Sequence, residues 1–208
     1  EYIHVEKPDQ EAVPSRQFDI SKIDFDLLSR EFAQTRRKNL LLRDLDELVN
    51  QQLAKMLFAN PQRIDYYDRY QEIIDAYNAE QNRATIEKTF MDLMELASSL
   101  DTEQQRYVRE GFSSDEELSV YDLLFSENLT KQEIETIKKV SVDLLTKIKQ
   151  QIAKLDHWTD KQETKAIVDN LIRNTLWQEL PNSYDVNDIQ TYQKKIYEYV
   201  YMRYPEVA

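Results

Sequence analysis

Cysteine is absent from the 208 residues, and glycine occurs once, at Gly111. Without cysteine there can be no disulfide and no thiolate metal site, which fits a reducing cytoplasm. A single glycine leaves no phosphate-cradling loop, so both a P-loop and a dinucleotide fingerprint are excluded. Histidine is nearly as scarce, with His4 and His157 only. A Ser-His-Asp site would have to use one of them, and no nucleophile elbow accompanies either. No apolar run approaches the ~20 residues that span a bilayer, and no signal peptide opens the chain, so no membrane association is expected. The first residue is Glu1 rather than Met, as expected for a piece of a longer protein.

What the chain has in surplus is acid: 39 Asp and Glu against 27 Lys and Arg, a net charge of −12. Such a chain repels nucleic acid unless its basic residues gather on one face. Arg36-Arg37-Lys38 is the one tight basic cluster, and it is the candidate phosphate contact. Its ordinary alternative is a solvated helix end. Lys138-Lys139 and Lys147 with Lys149 are further basic positions. Overall, DNA binding should be weak, about 10⁻⁴ M or poorer at physiological salt.

Residues 1–17 read as an extended arm or linker, because Pro8 and Pro14 discourage helix. From Phe18 to Phe32 the apolar residues first alternate and then fall at helical spacing. Asp24 is placed as an N-cap, with Ile23 and Leu28 as a hydrophobic staple. The pattern predicts helices over about Asp24–Thr35 and Asn39–Ala59, the latter with Leu42, Leu45, Val49, Leu53 and Met56 on one stripe. Asn60-Pro61 ends it. A third helix, about Arg63–Asn78, carries Tyr66, Tyr70, Ile73, Ile74 and Tyr77. A fourth, about Thr85–Leu100, is restarted by Asp101 and runs to Gly111, a left-handed C-cap. Ser114–Glu117 and Thr130–Glu133 read as capping boxes. The remaining helices start at Asp160 and Asp185 and stop at Leu180-Pro181 and Pro205. The expectation is an all-α array of eight to nine helices with an extended N-terminal arm. Residues 18–208 form the helical domain, with a possible seam near 113–130.

The carboxylates offer little chemistry. Asp24-Phe25-Asp26 and Asp44-Leu45-Asp46-Glu47 lack the glycine turn and spacing of a calcium loop. Glu163-Thr164-Lys165 spells the Glu-x-Lys of many metal-dependent nucleases, but it falls in the first turns of a predicted helix, where an acid suits the helix dipole. His157 reads as a residue that satisfies carbonyls at a helix end. No catalytic, cofactor or metal residue is therefore assigned. The last helix holds more tyrosine than one buried stripe can take. Tyr192, Ile196, Tyr199, Val200 and Arg203 are given to the core. Tyr197, Tyr201 and Tyr204 recur on another side and are the candidate partner contacts; the alternative is that their rings are buried with the hydroxyls left in water. On the partner-contact reading, replacing Tyr197 and Tyr201 together by alanine should leave the domain folded.

The order of segments resembles the C-terminal helical region of the restriction (R) subunits of type I restriction–modification enzymes. The pieces are Phe18–Phe25, Asn60-Pro-Gln-Arg-Ile-Asp65, Tyr70–Asn78, Val108-Arg-Glu-Gly111, Glu117–Leu124, Leu180-Pro181 and Tyr192 through Tyr201. The likeness covers nearly the whole chain, from about Phe18 to Tyr204. It implies a large parent subunit with a nuclease domain and two motor domains, using ATP and magnesium to translocate and cut DNA. It further implies that this stretch needs no cofactor of its own. Its partners would be the modification and specificity subunits of the methyltransferase core, and DNA would be met through the parent complex. The alternatives are a helical module that contacts or guides DNA beside the motor, a free-standing acidic helical adaptor, or a mimic of DNA charge.

Overall fold

The computed structural model describes residues 23–80 and 82–205. The expectations for the arm at 1–17, for His4 and for Phe18 and Ile20 lie outside the described residues. Among the described residues the secondary structure is all helical, with nine α-helices and one 3-10 turn and no strand. None of these helices is long and apolar enough to cross a membrane. The chain divides into two compact units between Arg106 and Tyr107. The polar stretches inside 113–130 are loops of the second unit.

In the first unit, α1 (Phe25–Gln34), α2 (Lys38–Ala59), α3 (Ile64–Ala79) and α4 (Arg83–Gln104) share one core. α1 begins where the sequence places it, because the Asp24 carboxylate accepts from Leu27 N at 2.9 Å. Asn60 ends α2 and then accepts from Gln62 N, capping the Pro61–Arg63 turn. α2 and α3 both pack on α4. The core row of α3 is Tyr67, Tyr70, Ile74 and Tyr77, with Ile73 beside it. Tyr66 is only half-buried. The row steps by three, four and three residues from Tyr67, which leaves Tyr66 at the flank rather than in the stripe expected from the sequence. α4 runs unbroken through Asp101 to Gln104, because Leu100 and Glu103 are both held in the core.

Polar groups enter this core in pairs. Arg63 Nε donates to Glu103 Oε1 at 2.9 Å, with only 4% and 9% of the two side chains exposed. Arg106 Nε adds a second contact to the same oxygen at 3.0 Å. Tyr70 donates its hydroxyl to Asp46 Oδ1 at 2.8 Å. Burial pushes the Asp46 carboxyl above its ordinary value; the Tyr70 bond opposes that shift, and the neighbouring Glu47 charge adds to it.

α5 (Arg106–Arg109) runs across the boundary in sequence, and the second unit opens on the Schellman turn that ends it. Gly111 sits at φ 83°, Phe112 N bonds Tyr107 O and Gly111 N bonds Val108 O. Then α6 (Asp115–Leu124), α7 (Lys131–Ile152), α8 (Gln162–Glu179) and α9 (Val186–Arg203) pack in succession, and α9 returns to α6. Thr130–Glu133 and Asp185–Asp188 form reciprocal capping boxes. Ser114 caps Glu117 N as expected, but the Glu117 carboxylate accepts from Ser113 N, one residue before the position a full box requires. α8 starts at Gln162 behind an uncapped Lys161, not at Asp160, which belongs to the preceding turn.

Two outcomes follow from the paired polar groups. Glu103→Ala leaves Arg63 buried without its carboxylate and should destabilise the fold by about 3–5 kcal/mol, measured by urea unfolding. For Asp46 the sign is set by its raised value. A carboxyl with a raised folded-state pKa contributes stability below the unfolded value of 3.8, and that contribution is lost as pH rises through the folded value. Asp46→Asn keeps an acceptor for Tyr70 and cannot ionise. It should therefore gain stability relative to the parent chain as pH rises from below 3.8 towards neutral.

Candidate partner-contact surface

The last turn of α9 is tied to the turn between α7 and α8. Trp158 lies in that turn, 1% exposed. Its indole N–H donates to Tyr204 O at 2.6 Å, and the Thr159 hydroxyl approaches Pro205 O at 3.5 Å. On the other side, Thr164 Oγ1 lies 2.7 Å from Trp158 O, so the start of α8 holds the same turn. His157 occupies this turn at φ 44°, with its Nε2 3.6 Å from Asp156 Oδ1. α7 has already ended at Ile152.

Three aromatic rings meet on this frame. Tyr197 and Tyr201 stack with centroids 6.2 Å apart, and both stand edge-on to Trp158, at 6.2 and 5.7 Å. Tyr197 is half-buried, and burial followed by the charge of Asp169 raises its hydroxyl above the ordinary value. Tyr201 remains 40% exposed, and Lys165 Nζ lies 5.6 Å over its ring. Exposed Met202 follows it. Glu163 and Lys165 sit in the first turns of α8, and Lys165 faces an aromatic ring. Among the described residues no group of three or more His, Asp or Glu is arranged to hold a metal ion.

Tyr204 is placed differently. It packs edge-on against Tyr199, with Lys149 Nζ 5.3 Å over its ring. Burial, with Tyr199 and Glu116 close by, pushes its hydroxyl well up. Glu116 is the centre of this group, bonded to Lys149 and 3.8 Å from Arg203. Burial alone would raise Glu116. Lys149, the Tyr204 hydroxyl and Arg203 outweigh it and hold the carboxyl below its usual range. Thus Tyr204 packs inward beside Tyr199 and Glu116, while Tyr201 is the most exposed of the three.

The basic candidates also separate. Lys138 bonds Glu110, Lys147 sits between Asp143 and Glu179, and Lys149 bonds Glu116. Lys38 bonds Glu87 at 2.6 Å and covers the Phe32 ring at 4.9 Å. Arg36 and Arg37 are exposed in the turn between α1 and α2, and Arg83 reaches the same groove from the start of α4. Sequence reasoning missed Arg83, because it lies 45 residues from Lys38 along the chain. It also missed Trp158, which reads in sequence only as the neighbour of His157.

Stability should grade with this placement. Tyr201→Ala should cost about 1 kcal/mol through lost ring contacts. Tyr197→Ala should cost about 2–4 kcal/mol, because its ring packs inward. Circular dichroism during urea unfolding checks both. The double replacement is thereby a stability change as well as a surface change, and Tyr201→Ala alone is the cleaner probe.

No curated protein and no solved structure matches the chain. Residues 11–204 match the family model described as type I restriction enzyme HindI endonuclease subunit-like, C-terminal. That span takes in both units, the nine described helices and the aromatic surface on α9, and the chain belongs to this family of C-terminal domains from type I restriction endonucleases.

Proposed function

We propose that this is a non-catalytic assembly domain, which docks the nuclease and translocase parts of a restriction subunit onto the modification methyltransferase core. Family membership supports a role inside a multi-subunit enzyme. The observation that carries the docking reading is the part-exposed ring of Tyr201, stacked on Tyr197 and propped edge-on by buried Trp158. A tyrosine fixed before binding loses little side-chain entropy at an interface, and tyrosine is enriched among residues that dominate binding energy. Lys165 above the ring supplies a charge that suits an acidic rim on the partner. On this reading ATP and magnesium act in the motor and nuclease parts of the parent protein, which works on DNA in the cytoplasm.

The test is titration of the chain with the purified methyltransferase core. Tyr201→Ala should weaken association by about 1–3 kcal/mol, five- to 150-fold in Kd. Lys165→Ala should slow association chiefly at low salt. Undiminished affinity of the Tyr201 variant, with its melting curve intact, sinks the proposed surface.

A further inference from the structure

The groove at the junction of α1, α2 and α4 has a different character. It encloses about 600 Å³ and is lined by Thr35, Arg36, Arg37, Lys38 and Arg83, with Asn39 and Leu40 at its side. Four cations therefore converge from two segments of a chain whose net charge is −12. Two carboxylates come near them: Glu31 lines the adjoining groove with Arg37, and Glu87 is bonded to the other pair. Glu87 accepts from Lys38 at 2.6 Å and from Arg83 at 3.3 Å. Those bonds, Lys38 first, hold its carboxyl below the usual range, so it stays charged. Lys38 is further committed to the Phe32 ring. Arg36 and Arg37 have no ion pair among the described residues, although acidic side chains outnumber basic ones 39 to 27.

Four cations against Glu87 and Glu31 leave the groove with a local charge of about +2, by count of these residues. Its lining has no aromatic ring and Leu40 as its one large apolar side chain. A protein partner draws its energy from a desolvated apolar centre, which this groove does not offer. A polyanion draws it from charge and counterion release, which the groove does offer. The guanidinium fork also matches two phosphate oxygens at once, and Arg83, from the start of α4, is 86% exposed.

The geometry points to this groove as a contact for the phosphodiester backbone of duplex DNA, made by Arg36, Arg37 and Arg83. The contact positions a duplex and reads no sequence, because it reaches phosphates and not base edges. It is independent of the docking surface on α9. With three phosphates engaged, binding is weak at physiological salt and strengthens steeply as salt is lowered.

The experiment is fluorescence anisotropy of a short labelled duplex titrated with the 208-residue chain over a salt series. The logarithm of affinity should fall against that of salt with a slope of about −3, at roughly 0.9 per phosphate. Arg36→Ala with Arg37→Ala should reduce the slope to about −1, and Arg83→Ala should reduce it to about −2. The doubly lysine-substituted variant at 36 and 37 should keep the slope. Melting curves should be unchanged, since all three side chains are exposed. Two sequences of equal length should bind alike. An unchanged slope in the alanine variants overturns the site, as does absence of binding at low salt. Inorganic tripolyphosphate that binds with the duplex excluded overturns the backbone reading in favour of a free polyphosphate. A polyglutamate peptide that binds more tightly than the duplex, through the same arginines, overturns it in favour of an acidic protein segment.

Discussion

The indole N–H of Trp158 donates to the carbonyl of Tyr204, 46 residues away, and that bond ties the end of α9 to the turn between α7 and α8. A buried indole needs an acceptor, and the last carbonyls of a helix have no intrahelical donor. One bond meets both needs. It fixes the end of α9 against the α7–α8 turn and so sets where Tyr197 and Tyr201 stand. Their rings then rest edge-on against a fully buried side chain. Tyr184 acts comparably at the other end of α9. Its hydroxyl donates to Leu124 O at 2.6 Å, satisfying a carbonyl at the end of α6. α9 is thus held at both ends by hydrogen bonds from buried aromatic side chains to orphan carbonyls, and the ring of Tyr201 is presented rather than tucked away.

Charge sorts the remaining surface. In the second unit, Lys138, Lys147 and Lys149 each have carboxylate partners, so three of the lysines in α7 are locally compensated. In the first unit, Arg36 and Arg37 lie beyond such partners, and Glu87 is shared between the two cations nearest to it. The same composition therefore yields two surfaces with different physics. One is aromatic and positioned by packing; the other is cationic, with more basic side chains than the two carboxylates beside it can pair. Exposed pairs of the Lys147 kind contribute little stability, and their effect is on field rather than on fold.

Local chemistry was the legible part of the sequence. The caps at Asp24, Thr130 and Asp185, the Asn60-Pro61 stop and the left-handed Gly111 all act over three or four residues, so each can be read without knowing the tertiary fold. The stripe Leu42, Leu45, Val49, Leu53 and Met56 was legible for the same reason. Tertiary contacts decided the rest. Asp101 has the look of a helix start, yet α4 continues past it because Glu103 is claimed by Arg63 from before α3. Asp160 looks like a cap, yet the turn it occupies is held by Trp158 and Thr164. Of the three candidate tyrosines, periodicity separated a second face of α9 but could not show that Tyr204 folds back onto Tyr199 and Glu116. Of the basic candidates, the run at 36–38 was visible, while Arg83 became its neighbour only through the packing of α4 beside α2.

The buried polar pairs of the first unit bear on how such helices find one register. α2, α3 and α4 meet along apolar stripes that repeat every three or four residues, and a helix displaced by a turn still places apolar side chains inward. Apolar burial alone discriminates poorly between those arrangements. Asp46 with Tyr70, and Arg63 with Glu103 and Arg106, discriminate strongly. In a displaced register, Glu103 or Asp46 would be buried without its donor, at a cost of several kcal/mol each. The first pair fixes α3 against α2, and the second fixes the start of α3 against the end of α4. Their net contribution to stability is small beside that of the surrounding leucines, because desolvation offsets most of the attraction. Their effect is on the alternatives: each pair penalises the shifted packings more than it favours the native one, and that difference selects a single arrangement from a repetitive apolar pattern.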